Sequence, residues 1–170
     1  MMKRFVSKYF LRNILQVLIL GVFVLLNTST VFSKPIKSAK AEALYKKAKL
    51  EYYSLLKFSN SEIRRAKWIK TANKFKEISL SFPQTISGYK ALFTSAKLYQ
   101  KSFARFGRPE DIKEALAIFQ QVASMDKDGY LGDDALFHAG ELFIAQNNLE
   151  AATLSFQTIL SFFPKGDMVK

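Results

Sequence analysis

The chain has 170 residues, enough for one domain with a substantial core, although part of its 49% hydrophobic content sits in an apolar N-terminal stretch. It contains no cysteine and one histidine, which excludes disulfides, cysteine-ligated metals, a cysteine nucleophile, an N-terminal lipoprotein cysteine and a histidine-rich zinc site. The net charge of +12 is unevenly spread: residues 34–90 hold 14 Lys/Arg against 4 Asp/Glu, whereas residues 128–170 hold 2 against 6. A basic front of this kind suits an anionic surface or polymer, or is simply a solvated, lysine-rich set of helix faces.

In chain order, Lys3, Arg4, Lys8 and Arg12 precede an apolar stretch from Ile14 to Leu26 that only Gln16 interrupts. Asn27-Thr28-Ser29-Thr30 then turns polar, and Val31 and Ser33 stand in the small or β-branched positions before a cut ahead of Lys34. Basic, apolar, then polar with small residues is the layout of a secretory signal peptide, predicted over 1–33. The apolar stretch is short for a membrane span, which needs about 20 residues. Left uncleaved, it is an anchor and gives the only expected membrane contact. Either way the rest of the chain is expected outside the cytoplasm, periplasmic or envelope-associated, and nucleic acid is not an expected partner. Residues 34–41 read as a linker.

From there a helical pattern recurs three times. Its first element is Ala43-Leu44-Tyr45…Ala48, then Ala91-Leu92-Phe93…Ala96, then Ala135-Leu136-Phe137…Gly140. Its second is Thr71/Phe75/Ile78, Ala115/Phe119/Val122 and Ala152/Phe156/Ile159. Breaks fall at Ser59-Asn60-Ser61, at Gly107-Arg108-Pro109 and at Asn147-Asn148. Pro109, followed by Glu110 and Asp111, suits a helix start, Asn148 a cap, and Asp133 the cap of the third unit. First-to-second spacings of 28, 24 and 17 residues predict longer helices, not floppy loops, in the first two units. No strand-period segment competes, so the chain is predicted to be all-α.

The third unit resembles the tetratricopeptide repeat. With Asp133 as its first residue, Leu136, Gly140, Phe143, Ala152, Phe156 and Pro164 fall where that pattern of about 34 residues wants large, small, large, small, large and proline. The resemblance implies a solenoid of about three helical hairpins spanning 42–168 (42–84, 88–128 and 133–166). The repeat core is then Leu44, Ala48, Phe75, Ile78, Leu92, Ala96, Ala115, Phe119, Leu136, Gly140, Phe143, Ala152 and Phe156. It further implies a groove lined by the first helices, with Tyr45, Lys49, Tyr52, Tyr53, Lys90, Phe93, Lys97, Lys101, Phe137 and Glu141 as candidate contacts for a protein or peptide partner. The alternative is that the recurring rings Tyr45, Phe93 and Phe137 only pack between neighbouring helices. The last unit carries more apolar residues than one buried face needs (Leu154, Ile159, Leu160, Phe162, Phe163), which predicts further chain over some of them, ahead of a partner or a second copy.

Nothing in the sequence points to catalysis. No phosphate-binding glycine loop or nucleophile elbow occurs, no cofactor or metal is expected, and His138 reads as a helix-surface or inter-helix residue. Trp68, among Arg64, Arg65, Lys67 and Lys70, reads as core or as a platform for a sugar ring. The order of elements, with Arg64-Arg65…Trp68, Asp133-Asp134-Ala135-Leu136 and Phe163-Pro164-Lys165-Gly166-Asp167-Met168, resembles the N-terminal repeat region of exported bacterial, deltaproteobacterial-type N-acetylmuramoyl-L-alanine amidases. That resemblance implies a targeting or scaffolding role beside peptidoglycan. It carries no catalytic residue, because those enzymes hold zinc in a domain beyond the repeats. A stand-alone periplasmic adaptor in envelope or outer-membrane assembly is the alternative expectation.

Overall fold

A computed structural model of the chain describes residues 35–57, 64–125, 131–164 and 166. All of them belong to the second of two compact units, residues 33–170. The predicted signal segment, the Ser59-Asn60-Ser61 break, Lys165 and the Asp167-Met168 string lie outside the described residues. Among the described residues six helices follow one another: α1 (Ala39–Lys57), α2 (Arg65–Ser81), α3 (Ile86–Phe106), α4 (Pro109–Met125), α5 (Gly132–Ala145) and α6 (Leu149–Phe162). Among the described residues the only extended pairing is a bridge between Ile36 and Thr85, so the all-α expectation holds. None of the described helices is long and apolar enough to cross a membrane.

The spacing argument is met in the second hairpin. There α3 and α4 have 21 and 17 residues, against 14 each in α5 and α6, and only Gly107-Arg108 separates them. In the first hairpin the described helices α1 and α2 have 19 and 17 residues, again longer than α5 and α6. The predicted linker is shorter than expected. Ser38 Oγ accepts the Ala41 N–H at 3.3 Å and starts α1 at Ala39. Ile36 meanwhile exchanges backbone hydrogen bonds with Gln84 and Ile86.

Local chemistry explains most boundaries. Thr85 caps α3 by accepting the Gly88 N–H at 2.9 Å, and a side chain at Gly88 would run into the Phe82 carbonyl. Gly107 closes α3 at φ 63°, in the left-handed region that glycine enters without strain. Pro109 opens α4, and Asn148 Oδ1 caps α6 by accepting from the Ala151 N–H at 3.1 Å. The cap expected of Asp133 is not formed. Leu131 holds the cap position without a side-chain bond, and Asp133 lies buried in the first turn of α5 with Gly166 against its carboxylate.

Each helix packs on the next, and α1 also reaches α3. One ring pair recurs inside every hairpin: Tyr45–Phe75 at 5.7 Å, Phe93–Phe119 at 5.7 Å and Phe137–Phe156 at 5.9 Å between centroids. The small residues expected where helices approach are buried (Ala48, Ala96, Gly140, Ala115, Ala152). At Gly140 even a methyl would sit 2.5 Å from the Phe156 ring. Phe75, Ile78, Leu92 and Phe119 are buried as expected, while Leu136, Phe143 and Phe156 are half-buried. Leu44 departs from the expectation: it is 39% exposed. Its counterpart Leu136 lines a space of about 320 Å³ with Ala123 and Ser124 of the preceding helix. Leu44, on the first described helix, has no such neighbour in front of it.

Candidate functional site: the face of the first helices

Side-chain bonds set α1, α3 and α5 side by side. Tyr45 Oη lies 3.3 Å from Thr94 Oγ1, joining α1 to α3. Lys97 Nζ lies 2.7 Å from His138 Nε2, and Gln100 Nε2 donates to Glu141 Oε2 at 3.5 Å, joining α3 to α5. Of the sequence-predicted contacts, Tyr45, Lys97 and Glu141 thus take part in the bonds that align the first helices. Tyr45, Phe93 and Phe137 each pack edge-on or tilted against the second-helix phenylalanine of their own hairpin and are half-buried.

On α1 the predicted residues form one cluster. The Lys49 ammonium lies over the Tyr45 ring at 5.7 Å and the Tyr53 ring at 5.3 Å, and Tyr52 and Tyr53 lie 5.7 Å apart. A hydrogen bond with Tyr53 raises the Lys49 pKa despite partial burial, so this lysine stays charged. Burial raises the Tyr52 phenol. Tyr53 is 46% exposed, an aromatic surface with a cation fixed beside it.

The second cluster lies between α3 and α5, and its hub is His138. The imidazole stacks on Phe119 at 5.4 Å and touches Phe93 and Phe137, each at 5.9 Å. Its Nδ1 meets Glu141 Oε2 at 2.6 Å. With Lys97 donating to Nε2, the neutral ring must carry its proton on Nδ1 and donate to Glu141. Burial lowers the Lys97 pKa first, and the charge of Lys101 adds to the effect. Lys101 is exposed and Lys90 half-buried on the same face.

Burial lowers the His138 pKa from 6.5; the Glu141 bond opposes this and the Lys97 charge reinforces it. The unfolded chain therefore takes up the proton before the folded one. The neutral ring's contribution to stability is fully present above the ordinary value and is lost as pH falls toward the lowered folded value. Urea midpoints measured from pH 8 to pH 5 should fall through this window in the native chain and stay nearly level in His138→Gln. A parallel fall in both would remove His138 as its source.

The inter-helix reading of His138 holds, but its pairing with Lys97 went unread, as did the part played by Thr94. A polar residue next to each recurring ring was the available signal. His138 and Glu141 gain no third ligand-type neighbour: among the described residues no group of three or more His, Cys, Asp or Glu is placed to hold a metal. Trp68 is core, 4% exposed under the Arg105 guanidinium at 5.6 Å, so no sugar platform exists there. Compared with known proteins, the chain matches no family model, no curated protein and no solved structure.

Proposed function

We propose that the chain is an exported, non-catalytic interaction module of tetratricopeptide type. Its first-helix face holds an extended peptide or short amphipathic helix of a protein partner, and it serves as the targeting or scaffolding region of a cell-wall N-acetylmuramoyl-L-alanine amidase. The observation that carries the interaction reading is the recurrence of Tyr45, Phe93 and Phe137, each half-buried against a second-helix phenylalanine, with Lys49, Lys97 and Lys101 alongside. Rigid rings supply contact area with little entropy to lose, and fixed ammonium groups meet carboxylates on a partner. Export rests on the layout of residues 1–33, and the amidase assignment on the Asp133–Leu136 and Phe163–Met168 strings. The basic front adds attraction to peptidoglycan or another anionic envelope surface.

A photo-crosslinking residue at Tyr53 should yield a discrete adduct in the cell envelope, whereas one at Lys113 on α4 should not. The combined reversal Lys49→Glu and Lys101→Glu should abolish the Tyr53 adduct. Equal labelling from both positions would overturn the groove. The intact mass of the species that carries these peptides in its source cells tests the amidase reading. A much larger species with muramoyl-alanine amidase activity supports it, whereas a species of residues 34–170 alone replaces it with a stand-alone adaptor.

A further inference from the structure

Around their shared motifs the three hairpins correspond, and the first and last described helices leave exposed the positions that are covered in between. In first helices, Ala91 and Ala135, Ser95 and Ala139, and Leu98 and Leu142 are all buried. Their α1 counterparts Ala43, Lys47 and Leu50 are exposed, Leu50 to 70%. In second helices, Trp68 and Ile112 are buried, whereas their counterpart Leu149 is 61% exposed. Ser79 is buried and Ala123 half-buried, whereas Leu160 is 62% exposed. Ala72 is buried and Leu116 half-buried, whereas Thr153 is exposed.

What covers these positions inside the chain is the contact of a second helix with the next first helix, made by α2 with α3 and by α4 with α5. The exposed face of α1 is one half of that contact, and the exposed face of α6 is the other. Charge adds little to the fit: α1 carries five lysines against two glutamates, and Glu150 is the one charged residue of α6. We propose that the α1 face docks on the α6 face of a second copy, head to tail, so that the internal stack continues between molecules. Such a contact is heterologous. Every docked copy keeps one free front and one free back, and association is open-ended instead of stopping at a dimer. The inference is independent of the first-helix groove, which this contact leaves uncovered.

Sedimentation velocity of the full chain over a roughly hundredfold range of concentration tests it. Species beyond the dimer should appear as the concentration is raised. Leu50→Glu and Leu160→Glu, both at already exposed side chains, should keep the native helical signal, and each alone should remain monomeric. Mixed in equal amounts they should form a one-to-one heterodimer that grows no further, because one retains a working back and the other a working front. A wild-type chain that stays monomeric overturns the proposal. So does association untouched by either substitution, or a Leu160→Glu chain that still dimerises through two fronts.

Discussion

Replacing Phe119 with alanine should lower folding stability by about 3–5 kcal/mol, the range for deleting a fully buried aromatic ring. Phe119 is wholly buried, meets Phe93 edge-on at 5.7 Å and stacks on His138 at 5.4 Å. It therefore supports its own hairpin and the seam to the next one together. Removing it leaves a cavity where two ring contacts converge, and neighbours fixed on three helices have little freedom to collapse into it. A domain of this size has about 5–15 kcal/mol in total, so the variant should sit close to the unfolding limit. Phe156→Ala makes the matched control. Its ring has the same place in the last hairpin but is only half-buried, so the loss should be about half as large. Urea titration followed by far-ultraviolet circular dichroism reads both. Equal losses for the two variants would remove the central role given to Phe119.

Short-range chemistry was legible in the sequence. The small residues at Ala48, Ala96 and Gly140 and the phenylalanines at Phe75, Phe119 and Phe156 mark helix–helix approaches. The Phe156 ring against Gly140 shows why the third copy needs glycine. Asn148, Gly107 and Pro109 marked their boundaries because each acts through its own backbone or its nearest neighbours. Long-range side-chain bonds were not legible. Lys97–His138 and Arg65–Asp111 join residues on different helices, and helical period gives a residue's face but not the side chain that will meet it. Leu44 was misjudged because a repeat motif describes an interior unit, whereas α1 is the first described one. Asp133 fits the composition of a cap, yet it is buried in the first turn of α5 beside Gly166. At the candidate face, the sequence did not show the grouping into an α1 cluster around Lys49 and an α3–α5 cluster around His138.

Asp111→Ala should cost about 2–3 kcal/mol near neutral pH, by removing the carboxylate that ties three helices together. Arg65 Nε, at the start of α2, donates to Asp111 Oδ2 at 2.9 Å while Arg65 Nη2 donates to Oδ1. Ser102 Oγ of α3 donates to Oδ2 at 2.7 Å, and Asp111 itself lies in the first turn of α4. Its side chain is 1% exposed, but that of Arg65 is 33% exposed. The guanidinium can therefore regain water when its partner is removed, which holds the loss below the 3–5 kcal/mol of a wholly buried pair. Burial alone would raise the Asp111 pKa, but the Arg65 and Ser102 hydrogen bonds and the Arg65 charge outweigh it, and the net shift is downward from 3.8. The sign follows: the contribution is fully present above that ordinary value and is lost as pH falls through the lower folded value. Native chain and variant should thus differ most near neutrality and converge only in strong acid. Combining Asp111→Ala with Arg65→Met should cost less than the sum of the single changes, since both remove the same pair of hydrogen bonds. Strict additivity, or a gap that widens in acid, would show that the pair does not tie α2 to α4.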